Sequence, residues 1–137
     1  MRPASVDTKS GKFQQSIEIG PHHLVADEPV ADGGDDGGPA PADFLLAALG
    51  SCTSMTIKLY ADRKGWPLTH VHVELEQAKD GAAHVIRRRI HLDGALDDEQ
   101  RARLLEIASK CPMHRILTGE IRIESSSGGP SSPSPRR

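Results

Sequence analysis

The stretch ADFLLAALGSCTSMTIKLYADRKGWP, residues 42–67, decides the fold because its apolar residues recur at steps of three and four. This periodicity is typical of an amphipathic α-helix. Gly65 and Pro67 supply an end signal, so the pattern predicts a helix from about Ala42 to Lys64. Its predicted apolar stripe consists of Leu45, Ala48, Leu49, Cys52, Met55, Thr56 and Leu59. A cysteine therefore lies on the apolar stripe of the longest predicted element.

Extended segments are predicted on both sides of this helix. Before it, residues 13–19 and Leu24–Ala26 predict a small hairpin, followed by a Gly- and Asp-rich loop at 31–41. After it, alternation in 70–76 and 85–92 predicts a second hairpin. Strand parity places Arg88 on the apolar face of this hairpin, together with Ile86, Ile90 and Leu92.

The C-terminal third predicts helices and one last strand. A helix starts at Asp97, where Gln100 completes a pair typical of a capping box. Cys111 is a candidate N-cap for a short helix that continues through Met113–Thr118, and 120–124 is predicted as a strand with Ile121 and Ile123 inward. The order ββ–α–ββ–α–β predicts an α+β fold with antiparallel sheets.

The ends of the chain differ in composition from its middle. Residues 125–137 read SSSGGPSSPSPRR and carry no apolar side chain, which favours a disordered tail. We interpret 1–10 as a flexible N-terminus and 11–124 as a single domain. A chain of 137 residues is long enough for one such domain with its own core.

Composition excludes several classes of function. With 3% aromatic residues and a net charge of −2, base stacking and a broad basic surface are disfavoured, so we expect no nucleic-acid partner. The strongly apolar run 44–49 is far shorter than a bilayer span, and the N-terminus lacks the apolar core of a secretory signal. Two cysteines are too few for a disulfide scaffold. We therefore expect a cytoplasmic protein with no membrane partner.

The residues themselves leave the roles of the cysteines open. Cys52 is either a small buried hydrophobe or a nucleophile, and it lies too far into its helix for the dipole to activate it. Arg88, Arg115 and His114 are the candidate activating groups. Cys111 is either a half-buried thiol at a helix joint or a partner of Cys52 in a redox cycle. Zinc is disfavoured because only one short ligand pair, Cys111 with His114, is present.

Four stretches resemble the OsmC/Ohr family: Leu24–Asp27, GGDDGGPAPADFLLAALGSCTSMT at 33–56, YADRKGWPL at 60–68 and KCPMHRIL at 110–117. The closer likeness is to its general OsmC-like branch. The resemblance implies an intertwined homodimer in which antiparallel sheets wrap around long central helices. It also implies a hydroperoxide-reducing thiol peroxidase, recycled by an external thiol reductant and without flavin, haem or metal. By position, Cys52 is the thiol that attacks peroxide and Cys111 the one that resolves it.

The sequence departs from the family pattern next to Cys52. Where well-studied members have a glutamate paired with an arginine, this chain has Ala42, and no arginine occurs between Arg2 and Arg63. Asp43 is the neighbouring carboxylate that remains available, and Arg88 is the favoured substitute cation, ahead of the other two candidates. The second hypothesis is thus a non-catalytic or weakly active dimer that binds a small apolar or electrophilic molecule.

Overall fold

The computed structural model describes residues 1–130 and confirms the α+β class. Three strands, a long helix, a two-stranded hairpin and two shorter helices follow one another along the chain. Their bounds are β1 Ala4–Thr8, β2 Gln15–Ile19, β3 His22–Ala26, α1 Pro41–Lys64, β4 Leu68–Asp80, β5 Ala83–Gly94, α2 Asp98–Ala108 and α3 Pro112–Thr118. A single turn of 3₁₀ helix, Val30–Asp32, lies in the loop before α1.

The N-terminal sheet corrects the expectation of a flexible segment at 1–10. Ala4–Thr8 is a strand that pairs antiparallel with β2, giving the order β1-β2-β3. Val6 lies directly opposite Ile17 and Ala4 opposite Ile19, so the predicted hairpin gains a third strand with two apolar cross-strand pairs. The segment carries too few apolar residues for its sequence alone to show this pairing.

The long helix α1 begins and ends where the sequence predicts. Pro41 occupies its first turn, and the Asp43 carboxylate accepts a hydrogen bond from the Ala40 backbone N–H at 2.9 Å. The helix ends at Gly65, which has φ +69° and whose N–H bonds the carbonyls of Ala61 and Asp62. A residue without Cβ is favoured in this left-handed conformation.

The buried face of α1 shares only Leu49 with the predicted apolar stripe. The residues that the fold buries are Leu49, Gly50, Thr53, Ile57 and Ala61. Met55 and Leu59 are 70% and 51% exposed, and Cys52, one turn before Met55, is half-buried. The helix is apolar on two sides, and only one of them packs against the rest of the described chain. We call the uncovered side, formed by Leu45, Ala48, Cys52, Met55 and Leu59, the outer face.

The inner side of α1 packs on the hairpin and on α2. A cluster of fully buried residues joins the two helices, and half-buried side chains from both strands of the hairpin close over it. The cluster consists of Ile57, Ala61, Leu104 and Ala108. The three-stranded sheet makes only sparse contacts with this body. The N-terminal sheet therefore adds little to the core within one chain.

The hairpin of β4 and β5 confirms the predicted position of Arg88. The strands pair antiparallel with Leu75 opposite Arg88, and Arg88 lies with Ile86 and Ile90 on the half-buried face. Gly81, with φ +61°, occupies the turn. The strands are longer than the alternating runs that predicted them because pairing continues to the turn.

The caps of α2 and α3 are as predicted, but the final strand is not. The Asp97 side chain accepts from Gln100 N–H, and Cys111 is the N-cap of α3. Residues 120–124 form no strand, and Ile121 and Ile123 are 57% and 87% exposed. An isolated alternating segment does not form a strand without a neighbouring edge to receive its hydrogen bonds. The described chain places no such edge beside it.

Two further expectations concern the termini and the membrane. Residues 125–130 form no helix or strand, and the remainder of the predicted disordered tail, 131–137, lies outside the described residues. Among the described residues, α1 is long and apolar enough to span a bilayer by length and composition alone, with a mean hydropathy of 1.3 over its most apolar window. Helices at the core of a globular domain meet the same criterion, and α1 packs against β4, α2 and α3.

Candidate functional site

The side chain of Thr53 lies at the centre of a buried polar cluster on the inner side of α1. Its hydroxyl donates to the Leu49 carbonyl at 2.7 Å and accepts from Arg88 Nη1 at 2.9 Å. A hydroxyl has one proton and two lone pairs. Since the proton goes to Leu49, one lone pair is left after Arg88 is bound.

Cys111, which lies between α2 and α3, also belongs to this cluster. The residue is fully buried, and its Sγ accepts a hydrogen bond from the His114 backbone N–H at 3.3 Å. The same Sγ lies 4.0 Å from Thr53 Oγ1. Because the threonine proton is already used, the Cys111 thiol is the donor in this long contact. Cys111 is thus fixed at the interface between α1 and α3.

Arg88 reaches the cluster from β5. Its guanidinium bonds Thr53 through Nη1, lies 3.4 Å from the Ala108 carbonyl, and places Nη2 3.2 Å from His114 Nδ1. A guanidinium has only donors, so His114 Nδ1 accepts this bond and the imidazole carries its proton on Nε2. The structure therefore brings together Arg88, His114 and Cys111, three of the predicted site residues.

Cys52 lies outside this cluster, on a different face of α1. Successive residues of a helix point about 100° apart, so Cys52 is turned away from the neighbouring Thr53 side chain. Its thiol is free and half-buried on the outer face. The described residues give its sulfur no hydrogen bond. The two helices therefore do not turn both cysteines into one core: Cys111 is in the core, and Cys52 faces outward.

The other two predicted residues are used elsewhere. The Asp43 carboxylate caps the start of α1, nine residues or about 13 Å along the helix axis from Cys52. Arg115 is exposed on α3, and the described contacts do not bring its side chain to either cysteine. Ala42, at the family's glutamate position, contributes its carbonyl to a 3.1 Å hydrogen bond from the Gln77 side chain.

An open cleft of about 380 Å³ borders the cluster. Arg88 and His114 form its polar wall together with His84 and Thr118, and apolar side chains form the rest. The apolar wall consists of Leu49, Ile86 and Leu117. A pocket with an apolar wall and a few convergent polar groups is typical of small-molecule sites.

The Gly- and Asp-rich loop before α1 is organised by one carboxylate. Asp27 is buried, and its two oxygens accept the N–H groups of Gly37 at 2.9 Å and Glu28 at 2.7 Å. These bonds, the one from Gly37 first, hold the pKa of Asp27 below its usual value. Asp27 therefore fixes the path of the loop into α1.

In the described part of the chain, no three His, Cys, Asp or Glu side chains are grouped as metal ligands.

Two residues of the site were not singled out by the sequence. Thr53 is fully buried although polar, and the signal that could have identified it is its position one turn after Leu49 on an apolar helix. Asp27 directly follows a predicted strand and precedes the Gly- and Asp-rich loop, and a short carboxylate side chain commonly accepts backbone N–H groups in such a place.

Comparison with known protein families assigns most of the chain to a single family. The family model described as OsmC-like protein matches residues 33–126. No curated protein matches the chain.

Solved structures of low sequence identity share the fold. The OsmC-like protein of Mycoplasma pneumoniae is 16% identical, with a TM-score of 0.73 over 87% of this chain and 88% of that one. An organic hydroperoxide resistance protein OsmC from Legionella pneumophila is 19% identical, with a TM-score of 0.67 over 87% and 90%. The organic hydroperoxide resistance protein OhrB of Bacillus subtilis is 16% identical, with a TM-score of 0.61 over 87% and 91%. At these identities the likeness shows the fold alone.

Proposed function

The chain belongs to the OsmC-like protein family, and we propose that it is a cysteine-dependent peroxidase that reduces organic hydroperoxides or hydrogen peroxide in oxidative-stress defence. Solved structures with its fold include proteins named for organic hydroperoxide resistance. The observation that carries the proposal is the contact between Thr53 and Cys111, which joins the turn of α1 that holds Cys52 to the N-cap of α3.

The first step is attack of the Cys52 thiolate on the terminal oxygen of a hydroperoxide. The O–O bond breaks, the sulfur gains that oxygen as a sulfenic acid, and the alkoxide leaves as an alcohol after taking a proton. For hydrogen peroxide the leaving group is water. The half-buried position of Cys52 on an apolar helix face suits a substrate with an apolar body.

In the second step Cys111 resolves the oxidised sulfur. Because Cys52 and Cys111 lie on different sides of α1, one of the two sulfurs must move before the Cys111 thiolate can attack Cys52. The S–O bond then breaks as the disulfide forms, and the sulfenic oxygen leaves as hydroxide, which takes a proton to become water. Two equivalents of an external thiol then reduce the disulfide and are themselves oxidised to a disulfide. The overall balance is one hydroperoxide and two thiols consumed, with one alcohol, one water and one disulfide formed.

The polar cluster supports Cys111 in this second role. Arg88 and the His114 N–H place positive electrostatic potential around a sulfur that is otherwise buried. Since Thr53 holds the Arg88 guanidinium beside Cys111, the threonine is a positioning residue in this mechanism.

We further propose that the working unit is a homodimer, located in the cytoplasm. The outer face of α1 leaves Met55 and Leu59 exposed, and the N-terminal sheet has little to pack against within one chain. Exposed apolar surface of this kind marks an interaction site. A second copy covering the outer face would also enclose Cys52.

A second candidate function is binding without turnover. It is favoured by Ala42 at the family's glutamate position and by the lack of any described hydrogen bond to the Cys52 sulfur. In this case an apolar or electrophilic molecule would bind next to Cys52 at the dimer interface. Such a protein would be alkylated by electrophiles but would not consume peroxide catalytically.

The experiment is a stoichiometric titration of the reduced protein with cumene hydroperoxide, followed by counting of free thiols. The wild type is expected to lose both of its thiols for each peroxide consumed. Cys52→Ser is expected to react at least about 100-fold more slowly, and Ser51→Ala serves as the neighbouring control. Equal rates for Cys52→Ser and the wild type would refute the peroxidase and leave the binding function.

A further inference from the structure

Three consecutive arginines on β5 alternate between the two faces of the hairpin. On the exposed face, Arg87 pairs with Glu76 across the strands at 3.9 Å, and Arg89 lies opposite Glu74. Arg88 between them lies opposite Leu75 and points to the other face. Glu74 and Glu76 therefore lie on the opposite face of the sheet from the Arg88 side chain.

The charge of Arg88 has no counter-ion in the described chain. Its three acceptors there, the Thr53 hydroxyl, the Ala108 carbonyl and the His114 imidazole, are all neutral. None of the ion pairs between described residues includes it. A partly buried charge without a counter-ion is unfavourable, and a bound anion would remove that cost.

The donors of Arg88 are only partly used. A guanidinium has five N–H groups, and the three described bonds leave one on Nη2 and the one on Nε. Two donors on one guanidinium match the two oxygens of a carboxylate in a bidentate pair. Both nitrogens belong to a side chain that lines the cleft next to His114.

We propose that this cleft binds a small organic carboxylate, with its carboxylate group on Arg88 and its apolar body along Leu49, Ile86 and Leu117. The single permanent positive charge on the wall matches a monoanion better than a phosphate dianion. The volume of about 380 Å³ falls within the range of small-molecule pockets. Carboxylate binding at this site is a function separate from the proposed peroxidase activity, because no bond forms or breaks there and Cys52 takes no part.

The test is titration calorimetry of the reduced full chain with hexanoate and with 1-hexanol, which have the same chain length and differ in charge. Wild type is expected to bind hexanoate at least about tenfold more tightly than hexanol, and the preference should shrink as salt is raised. Equal binding of both ligands, or binding of neither, would overturn the proposal without requiring any variant.

Three variants locate the site. Arg88→Gln is expected to abolish the preference for hexanoate, and Arg88→Lys to keep part of it. Arg87→Gln, on the opposite face, is the matched control and should bind hexanoate as the wild type does. A preference that survives in Arg88→Gln, or disappears in Arg87→Gln, would place the anion elsewhere.

The two proposals fail separately. Hexanoate is not an oxidant, and cumene hydroperoxide carries no carboxylate. A protein that reduces peroxide but does not bind hexanoate would refute the carboxylate site alone. Hexanoate binding in a protein that does not consume peroxide would reject the peroxidase alone.

Discussion

Arg88 Nη1 lies 2.9 Å from Thr53 Oγ1, which joins the centre of β5 to the buried face of α1. Through this hydroxyl the guanidinium comes beside Cys111, whose sulfur is 4.0 Å from the same oxygen. One hydroxyl thus connects a strand, the long helix and the joint before α3. Its removal should affect both the stability of the fold and the chemistry of Cys111.

Thr53→Val keeps the shape of the side chain and removes the hydroxyl. Arg88 Nη1 then loses an acceptor in a buried setting, and we expect the free energy of unfolding to fall by about 1–3 kcal/mol. Disulfide formation after peroxide treatment should slow, while formation of the Cys52 sulfenic acid should not. Denaturant unfolding and quenched-flow mass spectrometry measure the two effects. Thr53→Ser restores the hydroxyl and should recover both, whereas equal behaviour of the two variants would exclude the bridging role.

Cys111→Ser separates the two steps of the proposed cycle. The first turnover should proceed at close to the wild-type rate, because Cys52 performs it alone. The sulfenic acid should then persist and be trapped by dimedone, and steady-state turnover with a thiol reductant should fall roughly tenfold or more. Rapid loss of both peroxide and dimedone reactivity in this variant would contradict the resolving role of Cys111.

Asp27 predicts how stability responds to acid. Its pKa in the folded protein lies below the ordinary value for an aspartate, because the N–H groups of Gly37 and Glu28 bond the carboxylate. The unfolded chain therefore binds a proton first as the pH falls. The contribution of Asp27 is complete above about pH 5 and is lost as the pH falls through the folded pKa. Asp27→Asn should be less stable at pH 7 and should show a weaker loss between pH 5 and 3 in thermal melts.

Gly38 is a second point at which the loop before α1 is constrained. A Cβ at this position would lie 2.3 Å from the Val25 carbonyl oxygen, which is backbone and cannot turn aside. We expect Gly38→Ala to destabilise the protein by about 1–3 kcal/mol. Gly128→Ala, where a Cβ would meet nothing within 4 Å, is the control and should be neutral. Urea unfolding of the two variants provides the comparison.

Met55→Glu tests the proposed dimer. Met55 is 70% exposed on the outer face, and a charge there would oppose burial against a second copy. We expect the variant to elute as a monomer in size-exclusion chromatography with light scattering. Ala47→Glu introduces the same side chain at an exposed position of α1 away from the outer face, and it should remain dimeric. If the Met55→Glu variant stays dimeric, the outer face is not the dimer interface.

Most of the fold follows from local sequence signals. The periodicity of 42–64, the pair Asp97 and Gln100, and the alternation in 70–76 and 85–92 each predict an element that the structure contains. These signals act between residues close in the chain, and the sequence displays them directly. The position of Arg88 on an apolar face follows in the same way from strand parity.

The errors arise where a distant partner decides the outcome. The strand Ala4–Thr8 forms because β2 offers a free edge, and 120–124 stays irregular because no described strand lies beside it. Periodicity also cannot tell which of two apolar faces of α1 is buried in one chain. Thr53 was missed for the same reason, since its importance depends on Arg88, 35 residues later.

The inward arginine of β5 also limits how this hairpin can change in length. Side chains alternate along a strand, so inserting one residue ahead of Arg87 would turn Arg87 and Arg89 to the inner side and Arg88 to the outer side. The guanidinium groups of Arg87 and Arg89 would then enter the space that holds the single guanidinium of Arg88. Glu76 and Glu74 would lose the arginines opposite them. We expect the strands near Arg88 to tolerate gains and losses of residues in pairs, and single ones only where a bulge such as the one between Leu68 and His70 absorbs the extra residue. Arg88 thus serves as a marker of register for the central part of this hairpin.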